Sequence, residues 1–195
     1  MRIGEVSRTT AETDIRVKLN LDGKGRSTIE TGIGFFDHML TAFAKHGFFD
    51  LEVFARGDLE VDAHHTVEDV GIVLGQALAK ALDSKAGIAR FGTAFVPMDE
   101  VLVMTSVDIS GRPYAAFAWN LTYEMLGAFP SVLAEEFFRS LAFNAGITLH
   151  IREIAGGNMH HLIEAAFKAT ARALAEACAV DSRIEGLLST KGRLG

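Results

Sequence analysis

Apolar residues recur along this chain with two periods, and the order in which the periods alternate is itself repeated. From Asp14 to Leu21 they fall on every second position (Ile15, Val17, Leu19, Leu21), which predicts a strand with one buried face. Asp22-Gly23-Lys24-Gly25 reads as a turn, and Arg26 to Thr31 as the hairpin partner of that strand. Phe36, Met39, Leu40 and Phe43 then stand at helical spacing, so Phe36 to Lys45 is predicted helical with Gly47 as its stop. Alternation returns from Phe49 to Ala55. His64 to Leu82 predicts a second helix, with Val67, Gly71, Leu74, Leu78 and Leu82 on one face.

The second half follows the same order. Glu100 to Ile109 reads as a strand, Ser110-Gly111 as a turn and Tyr114 to Trp119 as its partner. A helix starts at Pro130-Ser131 and runs to about Asn144. Ile147 to Ile154 is a strand, and His160 to Ala179 a long helix with Ile163, Phe167, Leu174 and Cys178 inward. The pairs His64-His65 and His160-His161 stand 96 residues apart, in matching places of the two halves. The pattern predicts an α+β chain forming a single domain over 1–195, with internal repeats of about 1–90 and 91–195. Each half is a mixed sheet with helices on one face, and the helix layers pack between the two sheets.

Composition narrows the function classes. The 195 residues are 49 % hydrophobic and 23 % charged, which excludes a disordered chain. One cysteine, Cys178, excludes a disulfide framework and a multi-cysteine zinc site. A formal net charge of -6 gives no electrostatic footprint for nucleic acid. Met1 to Glu5 has no apolar signal core, and the apolar stretch Gly71 to Leu82 carries Gln76 and Lys80 and is too short for a bilayer. The expectation is a cytoplasmic protein without nucleic-acid or membrane partners. Against the single cysteine stand seven histidines.

Four of those histidines belong to two copies of one motif, HHxxE: His64-His65-Thr66-Val67-Glu68 and His160-His161-Leu162-Ile163-Glu164. On a helix, positions i and i+4 share a face, so His64 with Glu68, and His160 with Glu164, can meet one ion. The adjacent histidine projects about 100° away and serves a different ion or a different subunit. Imidazole with carboxylate and no thiolate suits Mn²⁺, Fe²⁺ or Zn²⁺. A single HHxxE at a helix start is also read as capping decoration; two copies at matching places favour metal. His38 aligns in the other half with Glu136; a ligand position filled by His in one half and Glu in the other would fit a pair of similar metal sites. Taken singly, a histidine after an aromatic pair, as His38 is, reads more often as a partnered core residue than as a ligand. Lys168 lies one turn beyond Glu164, while Arg90, Arg112 and Lys191 sit on turns or in the tail. Together they form a candidate phosphate clamp, and each alone reads as a surface charge.

These segments resemble a known family. Arg8 to Thr13 (RTTAET), Gly32 to Leu40 (GIGFFDHML), His64 to Gly75 (HHTVEDVGIVLG), Arg90-Phe91-Gly92 and Asp108 to Pro113 (DISGRP) follow the order of the imidazoleglycerol-phosphate dehydratases. So do Phe137 to Leu141 (FFRSL), Thr148-Leu149-His150, His160 to Lys168 (HHLIEAAFK) and Ser189 to Gly192 (STKG). The resemblance covers essentially the whole chain. It implies a fold like domain 2 of ribosomal protein S5 and dehydration of D-erythro-imidazole-glycerol phosphate to imidazole-acetol phosphate in histidine biosynthesis. It implies two Mn²⁺ per active site, on His38, His64, His65, Glu68, Glu136, His160, His161 and Glu164. The family usually has His where this chain has Glu136, so a site with altered ligand charge is expected. The resemblance further implies Glu12 as acid/base, with Glu68 and Glu164 as catalytic carboxylates. His46, Arg90, Arg112, Lys168, Ser189, Thr190 and Lys191, together with Glu12, would contact substrate or its phosphate. Family members assemble through trimers into 24-subunit shells with sites between subunits. Two other readings fit the paired motifs alone: a different di-metal enzyme, and a non-catalytic metal-binding or shell-forming protein.

Overall fold

The computed structural model describes residues 1–194. The first sheet grows around strand β2 (Thr13–Asn20), which buries Thr13, Ile15, Val17 and Leu19 and turns Asp14 and Arg16 to solvent. β1 (Ile3–Thr9) pairs antiparallel on one edge of β2, in register from Ile3↔Asn20 to Thr9↔Asp14. The other edge is taken by β4 (Asp50–Gly57), antiparallel from Thr13↔Gly57 to Asn20↔Asp50. β3 (Ser27–Glu30) is therefore not the hairpin partner of β2. It lies parallel on the far edge of β4, giving the order β1-β2-β4-β3. The eight-residue β4 buries Leu51 and Val53, whereas β3 offers only a partly buried Ile29, so the longer strand takes the central position.

The second sheet repeats this arrangement. β5 (Phe91–Met98), β6 (Val101–Asp108), β10 (Thr148–Ala155) and β7 (Tyr114–Ala118) stand in the order β5-β6-β10-β7. β7, expected beside β6, pairs parallel with β10 instead. A short ribbon of β8 (Met125–Leu126) and β9 (Phe129–Pro130) is inserted in this half only.

Four helices fill the space between the sheets: α1 (Gly34–Gly47), α2 (His64–Leu82), α3 (Leu133–Ala145) and α4 (Met159–Cys178). α2 covers β1 and β2 of its own sheet and packs on α3 of the other half, and α4 likewise covers β5 and β6 and packs on α1. The halves are thus crossed, and each long helix is backed by the short helix of its twin. At the centre Phe36, Phe137, Phe138 and Phe167 meet, with ring centroids 4.6 Å apart for Phe138–Phe167 and 5.4 Å for Phe36–Phe137.

The close approaches need missing side chains. A Cβ on Gly71 would come within 2.8 Å of the Phe137 carbonyl, so Gly71 lets α2 and α3 touch. Gly4 on β1 faces the Ala77 carbonyl of α2, and Gly92 on β5 faces the Ala173 carbonyl of α4, the same contact in both halves. Among the described residues no helix is long and apolar enough to cross a membrane.

Candidate metal centre

Both histidine pairs stand at helix starts. His64 opens α2, its backbone N–H donating to Asp62 Oδ1 at 2.7 Å. α4 is capped by Asn158, whose Oδ1 accepts from the backbone N–H groups of His160 and His161. In each half the first histidine and the glutamate share a helix face as the spacing requires. His64 Nε2 is 3.7 Å from Glu68 Oε2, and His160 Nε2 is 3.1 Å from Glu164 Oε2.

The tightest group crosses the two halves. His38, on α1, places Nε2 3.2 Å from the same Glu164 Oε2 that His160 approaches. His38, His160 and Glu164 each offer one ligand atom within 4.8 Å of the others. Two imidazoles and a carboxylate match the donor chemistry of a borderline divalent ion, so these residues fit the metal that the motif spacing implies. Glu164 Oε1 accepts from Lys168 Nζ at 2.6 Å. Burial pushes the Glu164 carboxyl up, but the Lys168 hydrogen bond and charge, then His160 and His38, outweigh burial and hold it below its ordinary value. His46 is half-buried on α1; burial, then the charges of Lys168 and Arg172, lower its pKa.

The second histidine of each pair turns away and meets different carboxylates. His65 Nδ1 lies 2.9 Å from Asp58 Oδ2 and 3.9 Å from Glu12 Oε2. His161 Nδ1 lies 3.0 Å and 3.3 Å from the two oxygens of Glu100, and Asp99 completes a three-donor group with them. Glu12 occupies the β1–β2 turn, exposed. That hairpin is fastened to α2 by Asp69, a buried carboxylate that accepts from both Arg8 and Thr13. Glu136 is half-buried in the first turn of α3, and its side chain makes no hydrogen bond or ion pair among the described residues. Among the described residues, three-donor groups form around Glu164 and around Glu100, not around Glu136.

The expected anion-binding residues fall into two sets. Lys168 and His46 belong with Glu164. Arg90, Ser189 and Thr190 line one open hollow of 490 Å³, and Lys191 donates its backbone N–H to Ser189 Oγ. Arg90 grips Asp108 with Nε at 2.7 Å and Nη2 at 3.1 Å, and its Nη1 donates to the Leu188 carbonyl at 2.7 Å. Three of the five guanidinium N–H groups are so committed, and two remain for an anion. Arg112 Nη2 lies 3.9 Å from the same Asp108. Among the described residues no hydrogen bond or ion pair joins the two sets. Asp58, Asp69, Asp99, Glu100 and Asp108 are the residues that sequence reasoning did not single out. Their one signal is an acidic residue at a turn or beside a motif.

Comparison with known proteins gives one answer. Residues 31–174 match the family model described as imidazoleglycerol-phosphate dehydratase. An imidazoleglycerol-phosphate dehydratase of Acetivibrio thermocellus is 62 % identical over 190 residues, 97 % of each chain. One from Caldanaerobacter subterraneus subsp. tengcongensis is 61 % identical over the full length of both. The crystal structure of the enzyme from Staphylococcus aureus superposes with a TM-score of 0.83 at 44 % identity, covering 92 % of this chain and 99 % of that one. The Pyrococcus furiosus enzyme, solved in complex with (S)-C348, gives 0.83 at 41 % identity, covering 97 % and 100 %.

Proposed function

The chain belongs to the imidazoleglycerol-phosphate dehydratase family, and from that premise we propose how its own side chains share the work. The reaction is a hydro-lyase step of histidine biosynthesis, removing water from D-erythro-imidazole-glycerol phosphate to leave imidazole-acetol phosphate. In the reading proposed here two Mn²⁺ are held per active site. His38, His160 and Glu164 form one group and His64, Glu68 and Glu136 its counterpart, with His65 and His161 contributed by neighbouring copies. The ions supply Lewis acidity and a template for the substrate imidazole.

The chain's own groups do the rest. Glu12, on an exposed turn fastened through Asp69, carries the proton between substrate carbon and solvent. Lys168 neutralises Glu164 and meets the substrate beside His46. Arg90, Arg112, Ser189, Thr190 and Lys191 clamp the phosphate and fix the carbon chain in one orientation. Assembly into trimers and a 24-subunit shell belongs to the same proposal, and within one chain no hydrogen bond or ion pair among the described residues joins the two anion-binding sets. Copies meeting one another bring the sets to a single substrate. The compartment proposed for this step is the cytoplasm.

The observation that carries the metal reading is the convergence of His38 and His160 on one oxygen of Glu164. The test is turnover of imidazole-glycerol phosphate to the ketone, followed in protein stripped of ions and then reloaded with Mn²⁺. Loss on stripping and recovery on reloading is expected. Full turnover in ion-free protein overturns the metal assignment.

A further inference from the structure

We propose that Asp58 and Glu100 are positioning residues that fix the tautomer of His65 and His161, aiming Nε2 of each ring outward as a ligand atom. The role rests on the metal reading above. A ring nitrogen held against an ionised carboxylate is an N–H donor, because the carboxylate can only accept. In a neutral imidazole that leaves the lone pair on the other nitrogen, and a carboxylate behind a ligating histidine orients the ring and raises its basicity. His65 Nδ1 has Asp58 Oδ2 at 2.9 Å, and His161 Nδ1 has Glu100 at 3.0 Å and 3.3 Å. The two anchors are fixed differently. The Asp58 side chain is 18 % exposed at the end of β4, with Oδ1 buried and without a hydrogen-bond partner among the described residues. Glu100 Oε1 accepts the Asn158 backbone N–H at 2.7 Å, and Asn158 in turn caps the helix start that carries His161. Glu100, Asn158 and His161 therefore close a ring of hydrogen bonds around one imidazole.

The two anchors are not related by the duplication. Glu100 lies in the β5–β6 turn, whose counterpart in the first half is the β1–β2 turn bearing Glu12. Asp58 follows β4 instead. The same hydrogen bond is made by different elements in the two halves, so it follows from what the ring must do and not from inherited topology. The difference has a use. In the second half the turn carboxylate is spent on anchoring. In the first half Asp58 takes over at 2.9 Å, and Glu12, at 3.9 Å from the same ring nitrogen, is left free to move its proton.

Glu100→Gln and Asp58→Ala test the role. The amide introduced by Glu100→Gln keeps an oxygen for the Asn158 N–H but presents an NH₂ to His161 Nδ1, which drives the ring to the opposite tautomer. Apparent Kd for Mn²⁺, measured by chelator competition, is expected to rise about 10–100-fold in each variant. Nitrogen-15 magic-angle-spinning spectra of ion-free, histidine-labelled protein are expected to show Nδ1–H rings at His65 and His161 in the wild type. Each variant is expected to lose that form at its own ring. Wild type that binds Mn²⁺ while both variants bind it equally well, with unchanged tautomers, overturns this role alone. Wild type that binds no Mn²⁺ overturns the metal reading and this role with it.

Discussion

Glu164→Gln keeps the shape of the side chain and removes its charge, which makes it the sharpest probe of the cross-half group. The native carboxylate accepts from Lys168 Nζ at 2.6 Å on one oxygen and faces His38 and His160 on the other. Glu164 and Lys168 side chains are only 8 % and 20 % exposed, so solvent screens the pair weakly. A hydrogen bond to a charged partner contributes about 1.5–3 kcal/mol net. For a chain of this size each kcal/mol moves Tm by about 2–4 °C, so ion-free Glu164→Gln should melt ~3–12 °C below ion-free wild type. A second arm isolates the ion. Mn²⁺ at a hundred times its Kd stabilises the wild type by about 2.7 kcal/mol, or ~5–11 °C, if it binds only the folded chain. The variant should forfeit most of that rise. Calorimetry at neutral pH and one fixed protein concentration, with chelator and then with Mn²⁺, reads both arms. A variant that melts with the wild type in chelator and gains the same increment from Mn²⁺ would refute the argument.

Four further outcomes are expected. Glu12→Gln should retain metal and phosphate binding while turnover falls by orders of magnitude; near-normal turnover removes Glu12 from proton transfer. Glu136→His should shift a metal-competition series toward Zn²⁺ and away from Mg²⁺, because imidazole suits borderline ions and carboxylate hard ones; an unchanged ranking removes Glu136 from the ligand set. Gly92→Ala drives a Cβ into the Ala173 carbonyl and should lower stability by about 1–3 kcal/mol or more, whereas Gly34→Ala, with nothing within 4 Å, is the matched control. Equal denaturation midpoints for the two would contradict the close approach of β5 to α4. Cys178 is 2 % exposed and burial pushes its thiol up to about 12, so iodoacetamide should label it only after unfolding, as mass spectrometry will read.

Helices that bury a continuous apolar stripe were legible along the chain. α2 runs from His64 to Leu82 as the periodicity predicts, and all five residues expected inward are buried. Strands β1 and β5 were not legible, for a physical reason. Each turns glycine, Gly4 or Gly92, toward the helix it touches, so a position that should register as apolar carries no side chain. β5 also sends Phe91 and Phe95 outward. The pairing of β3 and β7 was misread because a turn suggests a local partner, while the better partner of β2 or β6 arrives only after an intervening helix. At the site, the spacing within one helix revealed His160 with Glu164. The arrival of His38 at Glu164, of Glu100 at His161 and of Asp69 at Arg8 and Thr13 depends on pairings 56 to 126 residues apart that no local pattern encodes.

The crossing of α1 over α4 and of α3 over α2 bears on how such a chain can change over time. The second half, existing alone, would hold His160, His161 and Glu164 but not the third donor His38, which sits on its twin. Two identical halves would have to meet as a symmetric pair, and every substitution would then fall on both sites together. Joining the halves in one chain lifts that constraint. Lys168 has no cationic counterpart at the matching position Ile72, and His38 is answered by Glu136. Each is a difference that one half carries without the other.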